Sequence, residues 1–140
     1  MDLLWRLNRG YSQRLGRARS RLELLARLLA DRQADAATQE AVEIVIRECE
    51  QLYEEYRRWR FTYYYRSPQD RRMVEDAHGQ GRALAQFARM RQRHAQRAGQ
   101  IAAHLNYYRP PAGWTAIPQG DLWSLTTEAF TDLQTLEYVE

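Results

Sequence analysis

Three histidines and twenty-one arginines are the side chains of this 140-residue sequence on which a reaction could turn. Arg89 and His94 stand with four residues between them, and looser versions of the pair occur at Arg72 and His78 and at Arg97 and His104. A guanidinium that stabilises a crowded phosphorane, beside an imidazole that takes a proton from a ribose hydroxyl, would cleave RNA without metal. Glu75 and His78 make one Glu-x-x-His pair, half of what a carboxylate-bridged di-iron bundle requires. The other half is missing, and on a helix both side chains fall outside the apolar arc, so no metal and no other cofactor is expected. No glycine-rich phosphate loop, nucleophile elbow or zinc-protease pattern occurs.

The spacing of Arg89 and His94 resembles that of helical ribonucleases of the HEPN type, where arginine and histidine meet at a dimer seam. Those enzymes commonly place a polar residue straight after the arginine, whereas Met90, Met73 and Ala98 stand here. His94 and Arg91 nevertheless project toward the apolar arc of their helix, where polar groups need another helix or a second copy of the chain to satisfy them.

Binding chemistry is more abundant than catalytic chemistry. The stretch RRWRFTYYYRSP, residues 57–68, packs five aromatic rings and four arginines into twelve positions. At about 100° per residue, Tyr56, Trp59 and Tyr63 share one buried seam, while Phe61 and Tyr65 fall on the far side between Arg57 and Arg58. Rings beside guanidinium groups suit single strands or a protein partner. If the first and third helices run parallel, Arg6, Arg9, Arg66, Arg71 and Arg72 gather at the same end. Nearby acids offset part of this charge, with Glu54 spaced to pair with Arg58.

A second cluster, Arg82, Arg89, Arg93 and Arg97, falls within about 80° of one helix face. No acid occurs between Asp76 and Asp121, and Gln86, Gln96 and Gln100 stand where carboxylates would usually dilute such a face. Glutamine tolerates a sugar-phosphate backbone that a carboxylate would repel.

The elements that must carry these residues are all helical. An up-down bundle of three long helices plus a shorter C-terminal helix is expected, with long helices near 3–32, 36–65 and 68–107, a loop over 109–120 and a last helix over 121–137. Tyr11, Leu15, Ala18, Leu22, Leu25 and Leu29 alternate steps of four and three, with Leu4 and Leu7 extending the pattern. Val42, Val45, Cys49, Leu52, Tyr56, Trp59 and Tyr63 repeat it. Ser67 and Pro68 read as a helix start. Across that turn, Ala77, Gly79 and Gly81 are expected opposite Tyr53, Tyr56 and Trp59. Asp121 is a cap for the last helix, with Leu122, Leu125, Ala129, Leu133 and Leu136 inward. Asp121, Glu128 and Asp132 on its other side could then lie against the arginine stripe.

Composition bounds the rest. The length suits one domain, residues 1–140, and the absence of lysine makes every cation a flat, permanently charged fork. The net charge of +3 is segregated, with twelve arginines and three acids between residues 57 and 109. One cysteine, Cys49, permits neither an internal disulfide nor a zinc knuckle. With no long apolar span, a cytoplasmic chain without membrane partners is expected. These features point to a non-enzymatic basic helical subunit that binds nucleic acid, RNA favoured, within a larger assembly. The alternatives are a scaffold or adaptor that pairs its charge blocks with protein subunits, and a metal-independent ribonuclease using Arg89 and His94. A homo-oligomer is compatible with each.

Overall fold

The computed structural model describes residues 3–31, 35–63, 77–109, 116–117 and 120–135. Four helices carry almost all of them: α1 (Leu3–Asp31), α2 (Ala36–Tyr63), α3 (Ala77–Tyr107) and α4 (Leu122–Gln134). The fold is all-α. The expected helix start at Ser67 and Pro68 lies outside the described residues.

Periodicity accounts for the long helices. Leu4, Leu7, Tyr11, Leu15, Ala18, Leu22, Leu25 and Leu29 are all buried on α1, which passes through Gly10 and Gly16 without a break. On α2 the buried side chains are Val42, Val45, Cys49, Leu52, Tyr56 and Trp59, with Ala41 beside them. Asp35 starts this helix by accepting a hydrogen bond from the Thr38 backbone N–H at 3.2 Å. Cys49 is 2% exposed, and burial pushes its thiol pKa up to about 12.

Named contacts fix how the helices run. Trp59 Nε1 donates to the Ala83 carbonyl at 3.3 Å and His104 Nε2 to that of Ala41 at 3.2 Å, so α2 and α3 are antiparallel. The Tyr56 hydroxyl donates to Asn8 Oδ1, and the Arg19 guanidinium lies 4.2 Å from the Tyr53 ring centre, which sets α1 antiparallel to α2. Arg21 donates to the Leu125 carbonyl at 3.0 Å, and Trp123 Nε1 donates to the Leu105 carbonyl at 2.8 Å, so α4 returns along both α1 and α3. The first and third helices meet around Tyr11, whose ring is edge-on to Phe87 at 6.1 Å.

Three expectations need correction. Gly81 does not receive a bulky ring, because its Cβ position faces open space. Trp59 instead packs over Ala83, a fully buried residue one half-turn further on. The inward arc of α4 is also broader than expected: Leu122, Ala129 and Leu133 are buried as the spacing predicts, but Trp123, Thr126 and Phe130 are fully buried as well while Leu125 is only half-buried, and Leu136 lies outside the described residues. The two rings bury more area than leucine at those positions, and the Thr126 and Thr127 hydroxyls donate to the Leu122 and Trp123 carbonyls one turn back, which lets them enter the core satisfied. Finally, part of the expected loop is a two-residue antiparallel pairing, β1 (Ala116–Ile117) with β2 (Gly120–Asp121). It delivers Asp121 as the cap of α4, where Oδ1 accepts from the Trp123 backbone N–H at 3.0 Å.

Candidate functional site

Between α2 and α3, on their outer side, opens a groove of about 500 Å³. Leu52 and the edge of His94 form its floor, with Gln51, Glu55 and Arg58 on the α2 side and Arg93 and Arg97 on the α3 side. Beneath the floor lies a chain of polar groups that was not visible as a unit in the sequence.

His94 follows Met90 and precedes Ala98 by four residues each, so the helical repeat that buries those two buries it as well; its side chain is 1% exposed. Its Nε2 lies 3.1 Å from Glu55 Oε2. A carboxylate only accepts, so Nε2 carries the proton and Nδ1 accepts from the Tyr11 hydroxyl. The other Glu55 oxygen accepts from Arg93, whose Nε is 2.8 Å away. Tyr11, His94, Glu55 and Arg93 therefore form one hydrogen-bonded chain from the core to solvent, built by α1, α2 and α3.

Each member is tuned by its surroundings. Burial lowers the His94 pKa to about 4, overriding the attraction of Glu55, and the Arg91 and Arg93 cations push the same way. Burial would raise Glu55, but hydrogen bonds from Arg93 and His94 outweigh it and hold the carboxyl below its usual 4.5. Burial pushes the Tyr11 phenol up, with Arg91 opposing. At neutral pH the chain thus holds a neutral phenol, a neutral imidazole, a carboxylate and a guanidinium.

Arg91, 3% exposed, is satisfied in a different way. Its guanidinium lies 4.4 Å from the Tyr11 ring centre and donates to the Thr135 carbonyl at 2.7 Å and to that of Leu133 at 3.4 Å, at the C-terminal end of α4. Both inward-facing polar residues of α3 find their partners within one chain, so neither requires a second copy.

Arg89 and His94 do not converge. Five positions on a helix turn through about 140° from the starting direction, and Arg89 is exposed while both ring nitrogens of His94 are occupied. The arginine stripe is less one-sided than α3 alone suggests, because α2 supplies the missing acids. Arg93 pairs with Glu55, and Arg97 NH1 lies 3.1 Å from Glu48 and also donates to Gln51. The carboxylates of α4 do not occupy this stripe: Asp121 pairs with Arg109 at 2.9 Å, and Glu128 and Asp132 are exposed.

On α2, Glu54 pairs with Arg57 at 4.0 Å rather than with Arg58. Arg57 also lies 5.6 Å from the ring centre of Phe61, which is 55% exposed as its helix phase implied. Arg58, Arg82 and Arg89 are exposed and form no ion pair with a described residue. Tyr65, Arg66, Arg71, Arg72 and Glu75 lie outside the described residues, as does the side chain of His78. Among the described residues no three metal-binding side chains cluster, and no helix is long and apolar enough to cross a membrane. Comparison of the chain with protein-family models, curated proteins and solved structures finds no match.

Proposed function

We propose that this chain is an up-down four-helix bundle that binds nucleic acid, RNA in preference to duplex DNA, as a non-enzymatic subunit of a larger assembly. The antiparallel contacts of α2 and α4 with both α1 and α3 support the bundle. The observation that carries the binding reading is the set of cations on the α2/α3 face without an ion pair among the described residues, Arg58, Arg82 and Arg89. The register that joins Glu55 to Arg93 and Gln51 to Arg97 brings Arg58 level with Arg89, beside a groove that also presents Gln51. Guanidinium groups bind phosphate as forks, and the exposed Phe61 ring offers a stacking surface to an unpaired base. Glu55 and Glu48 occupy Arg93 and Arg97, so Arg58, Arg82 and Arg89 are the principal phosphate ligands.

The test is a triple variant, Arg58→Gln with Arg82→Gln and Arg89→Gln, titrated with single-stranded RNA at several salt concentrations. Each arginine that no longer neutralises a phosphate flattens the log-log salt dependence by roughly 0.7, or about 2 for all three. An unchanged slope in a folded variant removes this face from the function. The same RNA, incubated without metal, reads the ribonuclease alternative: cleavage that vanishes in His94→Ala would replace binding as the function.

A further inference from the structure

Arginines are spread along the whole of α1, and the fold sorts them. On one flank Arg14 donates to the Thr135 carbonyl at 3.5 Å and Arg21 to that of Leu125 at 3.0 Å, while on the other Arg19 lies 4.2 Å from the Tyr53 ring centre and pairs with Glu23. These three lie against neighbouring side chains or backbone. Arg6, Arg9 and Arg17 differ, because with Gln13 and Ser20 they fall within about 80° on the side of α1 opposite its buried leucines, and all five are exposed. None of the three cations forms an ion pair with a described residue, and the exposed Glu128 and Asp132 of α4 pair with none of them. No acid occurs on α1 before Glu23. Arg27 continues the same side but stands four residues from both Glu23 and Asp31, which offset its charge.

This side is separate from the α2/α3 groove. Tyr53, which receives Arg19, is two residues from both Gln51 and Glu55 of the groove, or about 160° around α2, so α1 and the groove lie on opposite sides of that helix. We infer that the outer side of α1 binds a second segment of RNA, so that one chain holds two strands at once; the inference rests on the nucleic-acid reading of the groove. From Arg6 to Arg17 the row runs about 16 Å along the helix, and guanidinium forks without a carboxylate among them suit successive phosphates. Gln13 and Ser20 add neutral hydrogen-bonding groups that a sugar-phosphate backbone tolerates. The Arg9 guanidinium lies 5.1 Å from the ring centre of the half-buried Trp5, which holds this cation at the surface. With such a surface on each side of α2, the chain joins strands rather than coating one.

The test counts RNA bound per chain. A single-stranded RNA of about six nucleotides, within the range that one small binding surface occupies, is titrated to saturation at low salt and the ratio is read by sedimentation velocity. The proteins are the wild type, the α1 variant Arg6→Gln with Arg9→Gln and Arg17→Gln, the groove variant Arg58→Gln with Arg82→Gln and Arg89→Gln, and Arg27→Gln. Every substituted position is exposed, and circular dichroism melts check that the fold is kept. The wild type and Arg27→Gln should each bind two RNAs per chain, and the α1 and groove variants one each. One RNA per wild-type chain, lost only in the groove variant, would overturn the inference while leaving the proposed function standing, and would leave the α1 cations to an acidic protein. Two RNAs on the α1 variant, or a loss in Arg27→Gln equal to that in the α1 variant, would overturn it as well. A wild type that binds no RNA would overturn the groove reading and the inference together.

Discussion

Protonating His94 would place a second N–H against the Tyr11 hydroxyl and a charge beside Arg91 and Arg93, with only Glu55 to favour it. The folded-state pKa of about 4 lies below the 6.5 of a free imidazole, so the unfolded chain takes up this proton first as pH falls. Stability should be fully present above pH 6.5, decline by about 1.4 kcal/mol per pH unit below it, and have lost about 3 kcal/mol near pH 4. Glu55 adds to the loss only below its ordinary 4.5, where the carboxylate that Arg93 and His94 stabilise begins to protonate. The readout is the difference between wild type and His94→Gln in urea melts across that window. The difference should shrink as pH falls, because the variant has no imidazole to charge. A constant difference would mean that His94 is not held neutral by the fold.

At the level of elements, the C-terminal half of α2 divides its rings between two duties. Trp59, 5% exposed, packs against Tyr56, Tyr63 and Phe87 and donates to the Ala83 carbonyl. Trp59→Ala should cost about 3 to 5 kcal/mol in thermal or denaturant unfolding, and Phe61→Ala less than about 0.5. The reverse order would put the helix phase in error. That phase was legible in the sequence because α1, α2 and α3 each repeat their apolar residues for many turns, and one pattern outweighs any competitor. It was only partly legible in α4, where Leu122, Ala129 and Leu133 were placed inward but Trp123 and Phe130 were not, because thirteen residues hold two overlapping arcs and the burial of Trp123 depends on Leu105 offering it a carbonyl. Pairing between helices was hidden for a related reason. Spacing along one helix suggests Glu54 with Arg58, but nothing in a linear sequence announces that Glu55 and Glu48 of α2 face Arg93 and Arg97 of α3. The site was therefore visible as a row of cations and invisible as a set of pairs; His94 on the apolar arc was the one signal of the buried chain beneath it.

For the molecule as a whole, the two outer surfaces divide the labour of the charges. The α2/α3 face keeps arginines without an ion pair among the described residues, and on the α1/α2 face Arg19 and Glu23 pair with each other while Arg27, Glu43, Arg47 and Glu50 are exposed without an ion pair to a described residue. Cys49 lies under the second of these faces, sealed by packing and held as a thiol far from its ordinary titration range. Thiol reagents attack the thiolate, so at neutral pH this sulfur reacts only when the chain opens. A solitary cysteine so placed is a clock for excursions from the native state. With reagent in excess, its labelling rate should become independent of reagent and equal the unfolding rate extrapolated from denaturant kinetics. One sulfur atom thereby times how often the fold opens.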